Sequence, residues 1–111
     1  MGAADPEDEI TPQDLATRLA NGSQSILIDV REPFEWAIAR LPSARLVPLD
    51  SLPDALHTLD RDSELVVYCH LGMRSAAAVA WLREQGFARA RNLVGGIDRW
   101  SREVDPSTCR Y

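Results

Sequence analysis

Apolar residues fall along this chain in short blocks of two kinds. SILIDVR (25–31), ARLVPL (44–49), ELVVYC (64–69) and ARNLVGG (90–96) are compact runs that read as strands. The first and third are almost continuously apolar, as in strands buried on both faces of a parallel sheet. In the second, Pro48 has no N–H to give to a ladder, so that strand lies at an edge or ends there. The other blocks space their apolar residues at helical intervals. TPQDLATRLANG opens with Thr11 as N-cap, Pro12 in the first turn and Asp14 in a capping-box position. Its Leu15 and Leu19 share one face, and Asn21-Gly22 ends it. A short extended piece at Glu9-Ile10 precedes it. EPFEWAIARL, SLPDALHTL, RSAAAVAWLREQG and IDRWSREV are read as further helices, with Gly86 closing the third of these.

Strand and helix therefore alternate, which builds a parallel sheet with helices on its faces. The expected architecture is α/β: a central parallel sheet of about five strands flanked by helices. In such sheets ligands bind beyond the carboxyl ends of the strands. Cys69 stands at one of those ends, between the run ELVVYC and the alanine-rich helix.

Composition narrows the chemistry. The 111 residues suit one domain, and 45% apolar with 26% charged residues is ordinary for a soluble globular protein. No apolar stretch approaches the ~20 residues of a membrane span, and the acidic opening MGAADPEDE lacks a signal-peptide pattern. A reducing, cytoplasmic setting is expected, because two cysteines build no disulfide framework. All 12 basic residues are arginine, which excludes a Walker A loop, a Schiff base and a lysine general base. The net charge of −5 is uneven. Residues 1–8 read as a disordered acidic tail and 9–111 as the domain. From His70 onward seven arginines face four acids, a net of +3, which favours an anionic substrate or an acidic partner. An acidic chain without a basic-aromatic cluster argues against nucleic acid, and no membrane partner is expected. Cys69, His70 and the distant His57 lack the paired spacing of a metal site, so neither metal nor cofactor is expected.

The segment CHLGMRS, Cys69 to Ser75, carries the sharpest signal. Orphan N–H groups and the dipole of a helix N-terminus stabilise negative charge in its first turn. His70, Leu71, Gly72 and Met73 can curl their amides around one point, with Gly72 free to take a positive φ. Arg74 is placed to bind an anion on the same cradle, and the helix begins around Arg74-Ser75. Such a loop holds a thiolate, a persulfide or an oxyanion. The competing reading makes Cys69 a small hydrophobe closing a strand, Gly72 a turn and Arg74 a surface charge. The combination of cysteine, glycine and arginine on a strand–loop–helix favours the chemical reading. Asp29 reads as one half of a buried ion pair supporting the loop. Arg31 reads either as its partner or as a further ligand for donor anions.

CHLGMRS resembles the active-site loop of a rhodanese domain. ILIDVREPFEW is similar to that family's opening strand and its Asp-Val-Arg signature. ARLPSARLVPL resembles its Gly-His-Ile-Pro-Gly-Ala-Ile-Pro stretch, and LREQGFARARNLVGGIDRW its segment after the active loop. Two departures occur: Arg40 stands where the family often has histidine, and Ser43 where it often has glycine. The resemblance implies a three-layer rhodanese-like fold and sulfur transfer. Cys69 would take a sulfane sulfur from thiosulfate or a protein persulfide and pass it to a nucleophilic acceptor. His70 to Ser75, with Arg31, would bind substrate, and His70 is not expected to act as a base. The closing GGIDRWSREVDPSTCRY is similar to the end of rhodanese domains fused to adenylyltransferases that activate ubiquitin-like sulfur carriers. An acidic sulfur-carrier protein or an adenylyltransferase is the partner this implies.

Two other functions share the fold. Dual-specificity phosphatases have five residues between cysteine and arginine, whereas four separate Cys69 from Arg74 here, a ring better sized for one sulfur atom. Non-catalytic rhodanese-like modules usually lack the loop cysteine. Cys109 reads as exposed and incidental, or as a relay thiol. Trp36, Trp81 and Trp100 read as packing residues.

Overall fold

The computed structural model describes residues 6–111. A five-stranded sheet runs in the order β1-β5-β4-β2-β3, with every neighbouring pair parallel. Its strands are β1 (Glu9–Ile10), β2 (Ile26–Asp29), β3 (Arg45–Leu46), β4 (Leu65–Tyr68) and β5 (Ala90–Leu93). The helices between them are α1 (Pro12–Ala20), α2 (Pro33–Ile38), α3 (Leu52–Ala55), α4 (Met73–Glu84) and α5 (Gly96–Glu103). The two edge strands are only two residues long, and β3 stops before Pro48. The expected acidic tail falls partly outside the described residues. Where it is described, Pro6–Asp8 forms a 3-10 turn rather than a disordered segment, and Arg83 holds Asp8 at 2.8 Å.

Alternation along β4 builds both halves of the core. Leu65, Val67 and Cys69 face one cluster with Ile28, Ala78, Val79, Leu82 and Phe87. Val66 and Tyr68 face the other, with Leu15, Leu27, Ile97 and Trp100. Helices cover both faces, so β4 is fully buried and its carboxyl end opens at the middle of the sheet. Trp100 is buried, while Trp36 and Trp81 are half-buried. The stretch SLPDALHTL differs from a single helix. It is one α turn flanked by 3-10 turns at Leu49–Ser51 and Leu56–Thr58. Pro48 and Pro53 each remove a backbone donor here, which fits such short turns better than a continuous ladder.

The turn Leu41–Ala44 explains one departure from the family pattern. Ala44 N donates to Leu41 O at 3.3 Å, and Ser43 has a φ of 65°. Proline second and a positive φ third is the pattern of a type II turn, which glycine fits best. Ser43→Gly is therefore expected to stabilise the protein by about 0.5–1 kcal/mol, because relieved strain exceeds the added freedom of the unfolded chain. Urea midpoints of the two proteins check this.

Candidate active site

β4 delivers Cys69 to its carboxyl end, and the chain then turns through His70, Leu71 and Gly72 into α4. Gly72 has a φ of 104° and caps the helix. A Cβ there would lie 3.1 Å from Gly95 N, so the position also requires a small residue. The turn aims two backbone amides at one atom. Gly72 N donates to Cys69 Sγ at 3.2 Å, and Ser75 N donates to it at 3.4 Å. Ser75 Oγ lies 3.3 Å from the same sulfur and itself donates to Asn92 Oδ1. Asn92 Nδ2 donates in turn to Gly72 O at 3.2 Å. The serine proton is thus engaged, and a Cys69 thiol donates to Ser75 Oγ. After proton loss the two amides remain as donors to the sulfur.

The amino end of α5 holds the loop from behind. Ile97 N donates to Cys69 O at 2.9 Å, and Asp98 N to His70 O at 3.1 Å. The His70 ring is not part of the cradle. It stacks on Tyr111, with centroids 4.0 Å apart and planes 11° apart. Above Cys69 a cavity of about 180 Å³ is lined by Cys69, His70, Leu71, Met73 and Arg74. Leu71 and Met73 stand at its rim, 59% and 81% exposed. Cys109 is exposed, away from this lining.

The two arginines behave differently from an open anion site. Arg31, one of whose expected roles was binding donor anions, is wholly buried. Its Nε and Nη2 donate to Asp29, Nη2 also to Ala39 O, and Nη1 to Glu35 O and Tyr111 OH. That uses the guanidinium fork inside the fold, and the ion-pair reading of Asp29 and Arg31 is the one the geometry supports. Arg74 reaches the rim but pairs in bidentate fashion with Glu35, at 2.7 and 2.9 Å.

Glu35 is one of the residues that sequence reading missed. It sits in the first turn of α2, where its Oε1 accepts from Glu32 N at 3.0 Å in a capping box. The spacing Glu32-x-x-Glu35 was the available signal. Its Oε2 also accepts from Tyr111 OH at 2.7 Å. The hydrogen bonds from Arg74 are the main reason its carboxyl is held at about 2, below the ordinary 4.5. Burial pushes the Tyr111 phenol up to about 12. A carboxylate with a depressed folded value stabilises the protein above its unfolded value and loses that effect as pH falls toward the folded one. The stability gap between the wild type and Glu35→Gln is expected to be constant above pH ~5, at up to about 3 kcal/mol, and to close between pH ~4.5 and ~2. Urea titrations at several pH values measure this gap.

A thiol at the end of a central parallel strand, held by the amides of a loop that becomes a helix, defines a class of domain. The family model of the rhodanese-like domain matches residues 11–103, and the chain belongs to that family. It is 38% identical over 99 residues to a "Sulfurtransferase" of Allochromatium vinosum, covering 89% of this chain and 92% of that one. It is 39% identical over 104 residues to the "Probable adenylyltransferase/sulfurtransferase MoeZ" of Mycobacterium tuberculosis, covering 92% of this chain. The match takes in 26% of the length of that protein. Among solved structures, a rhodanese-like domain protein from Staphylococcus aureus superposes with a TM-score of 0.82 at 30% identity, over 94% of this chain and 98% of that one.

Proposed function

We propose that this chain is a sulfurtransferase that carries a sulfane sulfur as a persulfide on Cys69. The observation that carries this reading is the pair of amide donors on a buried Sγ, facing a cavity with room for a second sulfur. The Cys69 thiolate attacks the outer sulfur of a donor such as thiosulfate or a protein persulfide. A new S–S bond forms at Cys69, the donor's S–S bond breaks, and sulfite or a thiolate leaves with its electron pair. An acceptor nucleophile then attacks the outer sulfur, and the Cys69 thiolate is released. No net electron transfer or outside oxidant is needed. The amides of Gly72 and Ser75 hold Sγ in place as nucleophile and as leaving group.

Both cysteines are free, which supports a reducing compartment such as the cytoplasm. The likeness to MoeZ, whose name joins an adenylyltransferase to a sulfurtransferase, supports an adenylyltransferase as partner. Two features weigh against a phosphatase: the short ring between Cys69 and Arg74, and the engagement of Arg74 by Glu35. The test is intact mass after incubation with thiosulfate, and separately with a persulfide donor. A gain of one sulfur that persists in Cys109→Ala and vanishes in Cys69→Ala is expected. Uptake that depends on Cys109 instead would overturn the assignment.

A further inference from the structure

The mouth above Cys69 is less positive than its sequence suggests. Among the described residues, the cavity lining has one arginine, Arg74, and its guanidinium is bound face to face by the Glu35 carboxylate. Glu35 is itself fixed. Its side chain is 5% exposed, and it accepts from Glu32 N and Tyr111 OH as well as from Arg74. Tyr111 is tied to Arg31 at 2.8 Å, and Arg31 is held by Asp29. The carboxylate therefore cannot swing aside at small cost to release Arg74. Arg31 lies wholly inside the fold. What the mouth offers a donor is a pair of backbone dipoles, the stacked His70 ring and the apolar side chains of Leu71 and Met73. The helix that carries Glu35 also exposes apolar side chains. Phe34 and Ile38 on α2 are 66% and 42% exposed.

Resting on the sulfur-carrier reading of Cys69, we infer that Glu35 determines donor specificity. By neutralising Arg74, it makes this mouth take a persulfide borne on an uncharged thiol in preference to free thiosulfate dianion. Thiosulfate brings two negative charges beside a buried carboxylate, and no free cation in the lining meets them. In the R–S–SH form that reacts, such a donor brings no negative charge, and its apolar part lies against Leu71 and Met73. The transfer balances: R–S–SH and the Cys69 thiolate give Cys69–S–SH and R–S⁻. With thiosulfate the products are Cys69–S–S⁻ and sulfite.

The test loads Cys69 in a single turnover, read by intact mass, with thiosulfate or the persulfide of N-acetylcysteine amide. In the wild type, loading efficiency from the persulfide is expected to exceed that from thiosulfate by more than about tenfold. In Glu35→Gln, half-saturation by thiosulfate is expected to fall about tenfold, as one unit charge at contact range implies, while that for the persulfide stays within about twofold. Glu35→Asp restores the preference, and Glu35→Gln/Arg74→Gln loses the thiosulfate gain. A purely structural role for Glu35 would move both donors alike. Equal use of the two donors by the wild type, or parallel changes in Glu35→Gln, overturns the inference while leaving Cys69 as carrier. Failure of both donors to load wild-type Cys69 overturns the carrier reading, and this inference with it. If Glu35→Gln does not fold, the wild-type comparison decides.

Discussion

A Cys69→Ser protein is expected to take up no sulfur from any donor, with turnover reduced at least about a thousand-fold, as when other covalent nucleophiles are removed. Serine is the informative replacement because it preserves the cradle. Gly72 N, Ser75 N and Ser75 Oγ all lie within 3.4 Å of Sγ and can each bond a hydroxyl oxygen at that site. Loss of the larger sulfur from the packed cluster around Val67 and Val79 costs about 1–2 kcal/mol. Folding should therefore survive while chemistry disappears. The difference lies in the atom. An alkoxide is a poor leaving group and does not form a carrier bond to sulfur, whereas a thiolate both attacks and leaves. Intact mass and a thermal melt on the same sample check the two halves. A sulfur adduct on Cys69→Ser would refute the assignment. Loss of folding would show that Cys69 matters first to the core.

Much of this site was legible in the chain, and what was hidden shares one physical feature. The run LVVYC, Gly72 and the alanine-rich helix lie within twenty consecutive residues, so local rules place them: a buried strand, a positive φ and a helix start. Gly72 carries its amide to Sγ as those rules expect, while the second donor is Ser75 N, a residue the local reading placed only at the helix start. Glu35, Asn92 and Tyr111 are brought in from 39, 17 and 76 positions away from their partners, and no local periodicity reports such pairings. Arg31 shows the same limit. Its place at the end of β2 was clear, but a guanidinium there can face the cavity or the interior. Only the packing of Asp29, the carbonyls of Glu35 and Ala39, and Tyr111 decides which. The edge strand β3 was overestimated in length for a related reason: the run 44–49 pairs only over Arg45–Leu46. A strand with one neighbour ends where that neighbour stops pairing, which is a property of the sheet.

The close approach of α5 to the loop sets the second large effect. Gly96→Ala is expected to lower stability by about 3 kcal/mol or more, a large share of the ~5–15 kcal/mol typical of a domain. Gly96 has a φ of 62°, and a Cβ there would lie 2.4 Å from His70 O and 2.5 Å from Cys69 O. Those atoms are backbone carbonyls held by Ile97 N and Asp98 N, so they cannot turn away as a flexible side chain would. Either α5 withdraws and both hydrogen bonds break, or the loop shifts and carries Sγ off its amides. Gly22→Ala separates strain from contact. Gly22 has a φ of 79° with nothing within 4 Å of the added Cβ, so its replacement costs only the left-handed strain, about 1–2 kcal/mol. The excess cost of Gly96→Ala over Gly22→Ala therefore measures how firmly α5 fixes the loop. Sulfur uptake should fall in the Gly96 variant and stay at the wild-type level in the Gly22 variant. Equal losses of stability in the two proteins would mean that the loop yields freely, and that the amides on Cys69 are placed by α4 alone.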